Sequence, residues 1–446
     1  MRWKALGVVA LATGVIGNDV SATSALQALR PEIRPGTETL QVNNGIITVY
    51  AVRPKLRPSN LPTAPIPAVS NAVANHGFAL WVKGFQPRAS AAGIRKDTLR
   101  AAFDGVQYDP DVIKRDRNQS EFTKTIWDYL DSAASNTRIA NGKSALQAHA
   151  RKLDAIEKRF GVEKEVVVAV WGLESAYGTF RGKNDIVQSL ATLAYDGRRG
   201  AFFEEQLIAA LEILQNGDTS PRNMTGSWAG AMGHTQFIPT SYLDYAVDFT
   251  GDGRRDIWSD DPSDALASTA AYLSRFGWVT GQPWGVEVQL PQGFDFTLAN
   301  RKTTKSPRQW ARLGVVDMAG RSVPNHGKAA ILLPAGSQGA AFMIFKNFSV
   351  IERYNTADAY VIGVGHLSDR IKGGPAIKAR WPRDDRALTF AERQEMQRRL
   401  TRAGFSTKGV DGKIGPKTID AVRGFQRSQG LTPDGYASLN LLKRLR

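Results

Sequence analysis

The chain has 446 residues, of which 42% are hydrophobic and 22% are charged, a composition typical of a soluble globular protein with two or three domains. Its formal net charge of +16 indicates a polyanionic partner: nucleic acid, an anionic membrane surface or an acidic wall polymer. The absence of cysteine excludes disulfides, thiolate metal sites and lipid attachment through an N-terminal cysteine.

Residues 1–25 have the layout of a secretory signal peptide. Arg2 and Lys4 precede an uncharged, mostly apolar run over residues 5–17, and small residues follow as far as Ala25. This run is too short for a comfortable membrane span, and no other segment is long and apolar enough for one. We therefore expect an exported protein, periplasmic or associated with the cell wall, without a lipoprotein anchor. A frayed N-terminal helix is the alternative.

Residues 26–76 are interpreted as a proline-rich lead-in. Prolines at seven positions interrupt both helices and central strands: Pro31, Pro35, Pro54, Pro58, Pro62, Pro65 and Pro67. A short run over residues 45–50 could form a lone strand. Folded sequence is expected to begin near Phe78, and apolar residues then recur at helical spacing to about residue 215, which predicts an α-rich body.

The stretch that organises this body is VVVAVWGLESAYG, residues 166–178. Its first eight residues have no polar side chain, which predicts a buried helix that ends at Gly178. One carboxylate, Glu174, follows, with Trp171 and Tyr177 on the same helix face. An apolar setting disfavours the Glu174 carboxylate and so raises the pKa of Glu174. A general acid that works near neutral pH requires such a raised pKa. The alternative is a helix-terminal glutamate that points into water.

A glycine-rich stretch over residues 226–240 predicts a loop whose backbone closely approaches a neighbouring group. Trp228, Gln236, Phe237 and Tyr242 suit a sugar, because they offer flat faces for stacking and an amide with a donor and an acceptor. An ordinary tight loop is the alternative. A second aromatic and amide cluster covers residues 347–355, and a helix is predicted from about 358 to 371.

Residues 248–256 are similar to the opening of a calcium-binding loop, with Asp248, Thr250 and Asp252 at positions one, three and five and a glycine at position six. Position twelve is Ser259 rather than an acidic residue. Three later carboxylates could close only a modified loop: Asp260, Asp261 and Asp264. Asp248, Thr250 and Asp252 are therefore candidate calcium ligands, with an ordinary Asp/Gly turn as the alternative.

The C-terminal third combines short strands, a linker and a helical module. Alternation over residues 286–290 and an apolar run over 329–333 predict strands. Residues 373–389 are rich in Gly, Pro and charge and are typical of an interdomain linker. Residues 390–446 predict a compact helical module with repeated Asp-Gly turns. Residues 378–446 carry 16 Lys/Arg against 7 Asp/Glu, a net of +9, so this tail is the natural contact for a polyanion.

Several of these stretches carry a resemblance. The run from Val170 to Gly178 resembles the catalytic signature of the membrane-bound lytic murein transglycosylase B family. Four further stretches are similar to the family in the same order: residues 190–196, 226–233, 236–237 and 347–355. The similarity covers roughly residues 77–372. The tail resembles the small three-helix peptidoglycan-binding module.

The resemblance implies a mainly α (α+β) fold: a lysozyme-like helical catalytic domain over residues 77–372 with minor β elements, then a linker at 373–389 and a three-helix domain at 390–446. It implies cleavage of the β-1,4 bond between N-acetylmuramic acid and N-acetylglucosamine, with the muramoyl C6 hydroxyl closing onto C1 to leave a 1,6-anhydro end. Glu174 matches the family's single catalytic carboxylate, acid first and base second. Ordinary glycosidases need two carboxylates. The candidates for a second one, Asp185 and Asp196, lie in polar surroundings, so neither stands in a setting like that of Glu174.

The resemblance also implies substrate contacts. Gln236, Phe237, Asn347 and Tyr354 match positions that line the family's sugar cleft, and Ser175 and Tyr177 are further candidates. No cofactor is expected to be required beyond the candidate calcium. The expected partner is the glycan strand of peptidoglycan, with other cell-wall enzymes as further candidates; neither nucleic acid nor a transmembrane span is expected. A lysozyme-like hydrolase and a non-catalytic wall-binding protein are the alternatives.

Overall fold

A computed structural model describes residues 71–118 and 124–446. The predictions of a signal peptide, of a lone strand over 45–50 and of most of the lead-in lie outside these residues. Within the described ranges the chain forms 17 α-helices and six short strands, which confirms a mainly α fold with minor β elements. Within the same ranges, no helix is long and apolar enough to cross a membrane.

The first eleven helices build the large helical body. They are α1 (Asn71–Ala91), α2 (Lys96–Ala102), α3 (Pro110–Asn118), α4 (Ile126–Ala133), α5 (Asn136–Ala148), α6 (Ala150–Phe160), α7 (Lys164–Ser175), α8 (Ile186–Asp196), α9 (Gly200–Asn216), α10 (Pro239–Tyr245) and α11 (Ser263–Arg275). Residues 71–76, which the sequence assigns to the lead-in, are helical and belong to α1.

Helix α7 is the predicted central helix, and its residues Val166 to Gly172 are buried, as their uniform apolarity requires. It ends at Ser175 rather than at Gly178, because Ala176 (φ 49°) and Tyr177 (φ 60°) already adopt left-handed backbone conformations. Such conformations are unfavourable for residues with a Cβ and persist where surrounding packing holds them. The predicted helix end was therefore too late, and the departure lies directly beside Glu174.

Two small antiparallel sheets complete the body. Strands β1 (Asn184–Asp185) and β2 (Thr225–Gly226) form one pair. The other sheet has the order β4-β3-β6-β5, from β3 (Gly285–Gln289), β4 (Val316–Asp317), β5 (Ala330–Leu332) and β6 (Ala341–Ile344). This sheet has its own apolar core around the fully buried Trp310. Strands β3 and β5 fall where apolar patterning predicted strands.

Three further helices follow or flank the second sheet: α12 (Pro307–Arg312), α13 (Lys346–Tyr354) and α14 (Asp358–Lys372). Helix α14 matches the predicted helix over 358–371. It packs along α7 and α4, with Gly363 and Gly365 where it meets Tyr129 and Trp284. This packing places the first turn of α14 against the last turn of α7.

The C-terminal module consists of α15 (Phe390–Arg402), α16 (Pro416–Ser428) and α17 (Leu439–Leu445) around a separate apolar core. Its repeated Asp-Gly turns have a structural role. The Gln397 amide donates to Asp411 and accepts from the Gly412 N–H, each at 2.8 Å. The Gln426 amide holds the second turn, residues 434–435, in the same way.

The predicted linker is held against the body. Glu287 on β3 accepts hydrogen bonds from the backbone N–H groups of Lys378 and Ala379. Arg383 pairs with Asp131 of α4 through two hydrogen bonds of 2.7 and 2.9 Å. Residues 373–389 therefore act as a docked strap rather than as a free spacer.

The module itself also contacts the second sheet region. The largely buried Arg423 of α16 donates to the Ala299 carbonyl at 2.9 Å. Asp434 accepts from both the N–H and the hydroxyl of Ser337, each at 2.9 Å. These contacts attach the basic module to the body at two points that lie outside the Glu174 region.

Candidate active site

Glu174 lies in the last turn of α7 and is 7% exposed. Its Oε1 atom accepts a hydrogen bond of 2.6 Å from the Tyr360 hydroxyl, on the first turn of α14. Burial raises the pKa of Glu174 to about 8, and the bond from Tyr360 acts in the opposite direction because it favours the carboxylate. At neutral pH the carboxyl group is therefore mostly protonated, in the direction that the apolar sequence setting predicted.

Aromatic side chains surround this carboxyl group. Tyr354 stacks on Tyr360 with ring centroids 6.5 Å apart and an interplanar angle of 11°, and it also contacts Phe237 and Tyr272. Burial, together with the nearby Glu174, raises the pKa values of Tyr354 and Tyr360 well above their ordinary value. These tyrosines remain neutral hydroxyl donors, so they polarise the site without adding charge.

Two further carboxylates, Asp185 and Asp196, each have a structural partner elsewhere. Asp185 is exposed and caps α8 by accepting from the Gln188 N–H at 2.8 Å. Asp196 pairs with Arg117 at 2.7 Å. Burial and Tyr360 are the two influences on the pKa of Glu174, and no other carboxylate in residues 71–118 and 124–446 contributes.

The glycine-rich loop makes the close backbone approaches that its composition predicted. A Cβ on Gly226 would lie 2.1 Å from the Ala231 carbonyl oxygen, and one on Gly233 would lie 2.3 Å from the Ile257 carbonyl oxygen. Only glycine fits at these two positions. Residues 234–237 of the loop then contact α7, α11 and α13.

Gln236 and Phe237 take different places within this loop. Gln236 has a left-handed backbone (φ 56°), and its amide nitrogen donates to the Arg181 and Gly233 carbonyls at 3.0 and 2.8 Å. Its half-buried amide oxygen remains able to accept from a substrate hydroxyl. Phe237 is 3% exposed and supports the ring of Tyr354.

Tyr242 is fully buried and donates to the Arg255 carbonyl, so it belongs to the core rather than to a sugar surface.

Asn347 lies in the interior of the protein. It is fully buried, and its amide nitrogen donates to the Val279 and Gln282 carbonyls at 2.9 and 2.7 Å. Its amide oxygen accepts from the Val279 N–H at 2.8 Å. The side chain is thus fully used in holding the turn over residues 279–282, so the predicted direct substrate contact is not supported.

Ser175 and Tyr177 serve the end of α7. Ser175 is fully buried, donates to the His234 carbonyl at 2.5 Å and accepts from the Gly178 N–H at 2.9 Å. Its predicted substrate contact is therefore not supported either. Tyr177 is half-buried and donates to the Arg138 carbonyl at 2.7 Å, which leaves its ring, rather than its hydroxyl proton, for a ligand.

Sequence reasoning missed Tyr360 and His234. Tyr360 follows Glu174 by 186 residues, and no local pattern distinguishes it from other helix tyrosines. His234 lies inside the glycine-rich stretch, where the sugar prediction rests on the aromatic and amide residues around it. Its position between small residues, in a loop with close backbone contacts, was the available signal.

The acidic loop gathers three carboxylates. Ligand atoms of Asp248, Asp252 and Asp264 lie within 4.8 Å of one another. Asp264, from the first turn of α11, lies where it would supply the acidic ligand that Ser259 at position twelve does not offer. Thr250 directs its hydroxyl to Asp248 at 3.4 Å. Carboxylate oxygens in this number suit Ca²⁺, so Asp248, Asp252 and Asp264 are the residues that would hold it.

Comparisons with known proteins identify the families that the chain matches. The chain matches the family described as a transglycosylase SLT domain over residues 77–369 and a peptidoglycan binding domain family over residues 391–445. It is 34% identical over 240 residues to the membrane-bound lytic murein transglycosylase B of Escherichia coli (strain K12), a match that spans 52% of this chain and 63% of that protein.

Solved structures are similar as well. SltB3 from Pseudomonas aeruginosa, in complex with NAG-anhNAM-pentapeptide, is 48% identical with a TM-score of 0.81, covering 83% of this chain and 99% of that one. The soluble lytic transglycosylase SltB1 of the same organism is 30% identical, with a TM-score of 0.59 and coverage of 66% and 98%. The Escherichia coli lytic transglycosylase Slt35, in complex with calcium, is 28% identical, with a TM-score of 0.57 and coverage of 67% and 94%.

Proposed function

The chain belongs to the transglycosylase SLT domain family and carries a C-terminal peptidoglycan binding domain, and from this membership we propose that it is a peptidoglycan lytic transglycosylase. The observation that supports the proposal most directly is the state of Glu174: a buried carboxyl group with a pKa of about 8, bonded to a neutral tyrosine. One group of this kind can donate a proton and later accept one near neutral pH.

The proposed first step is general acid catalysis. Protonated Glu174 gives its proton to the glycosidic oxygen as the bond from muramoyl C1 to that oxygen breaks. The N-acetylglucosamine side leaves with a new hydroxyl group. The positive charge at C1 is stabilised by the substrate's own acetamido group, so no second protein carboxylate is needed.

The second step returns the proton. The Glu174 carboxylate accepts the proton of the muramoyl C6 hydroxyl while that oxygen bonds to C1, which closes the 1,6-anhydro ring and regenerates the acid. No water is consumed. Tyr360 stabilises the carboxylate between the two steps, because its hydrogen bond favours the charged form. We expect the Gln236 amide oxygen to accept from a sugar hydroxyl, because the amide nitrogen is the atom that bonds the Arg181 and Gly233 carbonyls.

The module over residues 390–446 would hold the enzyme on its substrate polymer. Basic residues exceed acidic ones by nine over residues 378–446, which suits an anionic wall. A second contact raises the effective concentration of the catalytic body at the polymer. The basic and apolar start of the chain supports export to the cell wall, where such a substrate lies.

Mass spectrometry of products released from purified sacculi tests the function. Muropeptides with 1,6-anhydro ends are expected, each lighter by one water than the product of hydrolysis. Reducing ends would instead identify a lysozyme-like hydrolase, and no release at all would leave a wall-binding protein. Glu174→Gln, run in parallel, identifies background from contaminating enzymes.

A further inference from the structure

We propose that His234 is a positioning residue for Glu174, and that it fixes the end of α7 through one neutral imidazole tautomer and its backbone carbonyl. The inference rests on the proposed function, because it assigns His234 to the same reaction. His234 is 4% exposed and belongs to the glycine-rich loop.

The imidazole contacts define its protonation. The Trp171 indole N–H lies 3.1 Å from Nδ1 of His234. An indole nitrogen can only donate, so Nδ1 must be an unprotonated acceptor. The proton is therefore on Nε2, which donates to the Ser259 carbonyl at 2.7 Å. A second proton on Nδ1 would face the indole N–H and break the link to α7.

The charged surroundings favour this neutral form. Nη1 of Arg181 lies 3.2 Å from Nε2 of His234. Because Nε2 carries the proton, Nη1 donates instead to the Trp258 and Ser259 carbonyls, each at 2.8 Å, and the charge of Arg181 disfavours an imidazolium. Asp260 and Asp256 favour the charged form, and so does the hydrogen bond to the Ser259 carbonyl, but burial is the largest influence and the pKa of His234 is lowered. His149, whose ring also packs edge-on against Trp171, likewise has a pKa that burial lowers.

The backbone of the same loop segment bonds two residues near Glu174, Ser175 and Tyr354. The His234 carbonyl accepts from the hydroxyl of Ser175, the residue that follows Glu174, at 2.5 Å. The next carbonyl, of Thr235, accepts from the Tyr354 hydroxyl at 2.6 Å, and Tyr354 stacks on Tyr360. Residues 234–235 therefore connect the helix that carries Glu174 with Tyr354, whose ring stacks on the Tyr360 that bonds Glu174.

Packing makes the position of the imidazole specific. Gly178, which follows the strained residues at the end of α7, has φ +85°, and a Cβ there would lie 2.6 Å from the His234 ring. A cleft of about 280 Å³ borders the imidazole and is lined in part by Tyr177, Arg181 and Asp260. The ring thus fills the space between the turn after α7 and this cleft.

The test uses three substitutions in the full-length protein. His234→Asn keeps an acceptor where Nδ1 bonds Trp171, His234→Gln keeps a donor where Nε2 bonds Ser259, and His234→Leu keeps neither. We expect kcat for anhydro-product formation to fall roughly 10- to 100-fold in His234→Leu, since small misplacements of catalytic groups have effects of that order. KM should change little. His234→Asn should recover most of the rate, and His234→Gln less.

The control is His149→Asn, because His149 contacts the same indole edge-on at 5.5 Å without a hydrogen bond to it, and its rate should match the wild type. A wild-type kcat in His234→Leu would overturn the inference. So would an equal fall in kcat in all three variants that is accompanied by a lower melting temperature in each. Failure of the wild type itself to form anhydro ends would instead refute the proposed function.

Long-range ¹H–¹⁵N NMR of the imidazole nitrogens gives a readout independent of turnover. The imidazole signal that is missing from the spectrum of His234→Asn is assigned to His234. In the wild type at neutral pH, this signal should show a neutral ring protonated on Nε2. A doubly protonated ring, or a proton on Nδ1, would contradict the proposal whatever the kinetic result.

Discussion

The Tyr360 hydroxyl donates a 2.6 Å hydrogen bond to Oε1 of Glu174 across 186 residues of sequence. Two opposing effects set the pKa of Glu174. Burial favours the neutral acid, while the hydrogen bond favours the carboxylate, and the resulting pKa of about 8 leaves the group protonated at neutral pH. A group with this pKa can act first as the acid and then as a strong base. The alkaline limb of kcat/KM should accordingly lie near this pKa.

Replacing Glu174 with Gln keeps the shape of the side chain but removes the transferable proton. General acid–base catalysis typically contributes about 10²- to 10⁴-fold, so release of anhydro muropeptides from sacculi should fall by at least that range. Asp185→Asn is a matched control, because asparagine also caps a helix well. Near wild-type lysis by Glu174→Gln would refute the catalytic assignment.

The same substitution should change the pH dependence of stability. The pKa of Glu174 rises from 4.5 to about 8 on folding. Between these values the folded state binds more protons than the unfolded state, so this group's stabilising contribution, complete below pH 4.5, is lost as pH rises through about 8. Glu174→Gln has no ionisable group at this position, so its stability does not fall with pH in this way. Its melting temperature should exceed that of the wild type more at about pH 9 than at about pH 5; an equal difference at both would contradict the raised pKa.

Tyr360→Phe removes the bond that favours the carboxylate and leaves the ring in place. The pKa of Glu174 should rise further, so the alkaline limb of the pH–rate profile should move to higher pH. A hydrogen bond to a charged group contributes about 1.5–3 kcal/mol, and we expect kcat to fall roughly tenfold. Tyr272→Phe, which removes a hydroxyl bonded to the Arg353 carbonyl rather than to Glu174, is the control. An unshifted limb in Tyr360→Phe would refute the assigned role.

Calcium should stabilise the protein if Asp248, Asp252 and Asp264 hold it. A ligand that binds the folded state contributes about 2.7 kcal/mol at a hundredfold excess over its Kd, so the melting temperature should be several degrees higher in calcium than in chelator. Asp252→Asn should abolish this difference, because it removes an exposed ligand without disturbing the buried Asp264. Identical melting curves for the wild type would exclude the site.

Deleting residues 390–446 separates wall binding from catalysis. Retention on insoluble peptidoglycan should weaken, most clearly at low salt, where charge attraction is least screened. Turnover of short soluble glycans should change little, since Glu174, Tyr360 and Gln236 lie in the body. The melting temperature should fall because the contacts of Arg423 and Asp434 with the body are lost. Undiminished binding of the truncated protein to sacculi would refute the wall-binding role.

Local patterning predicted the elements that local physics controls. The uniform apolarity of residues 166–173 identified α7 as a buried helix, and alternation identified β3. Glycines in the stretch over 226–240 predicted close backbone contacts that Gly226 and Gly233 make. These features depend on periodicity, propensity and the space around a Cβ, all of which can be read along a short stretch of chain.

Contacts between distant segments could not be read in that way. Ser175 and Asn347 have side chains suited to sugars, yet both are buried and bonded to backbone groups. Asp264 joins the acidic loop from another helix, and the strap over residues 373–389 docks through Glu287 and Asp131. A residue type states what a side chain can bind, whereas packing decides which partner lies beside it.

By itself, the sequence determined that one carboxylate, Glu174, ends an apolar helix, and burial in such a helix is enough to raise its pKa. Tertiary structure decided the rest of its chemistry. The packing of α14 along α7 brings Tyr360 to the carboxyl oxygen, and the left-handed turn after Ser175 admits His234 beside Trp171. These partners lie far apart in the chain, so only the folded arrangement of helices and loop can bring them within hydrogen-bonding distance of each other.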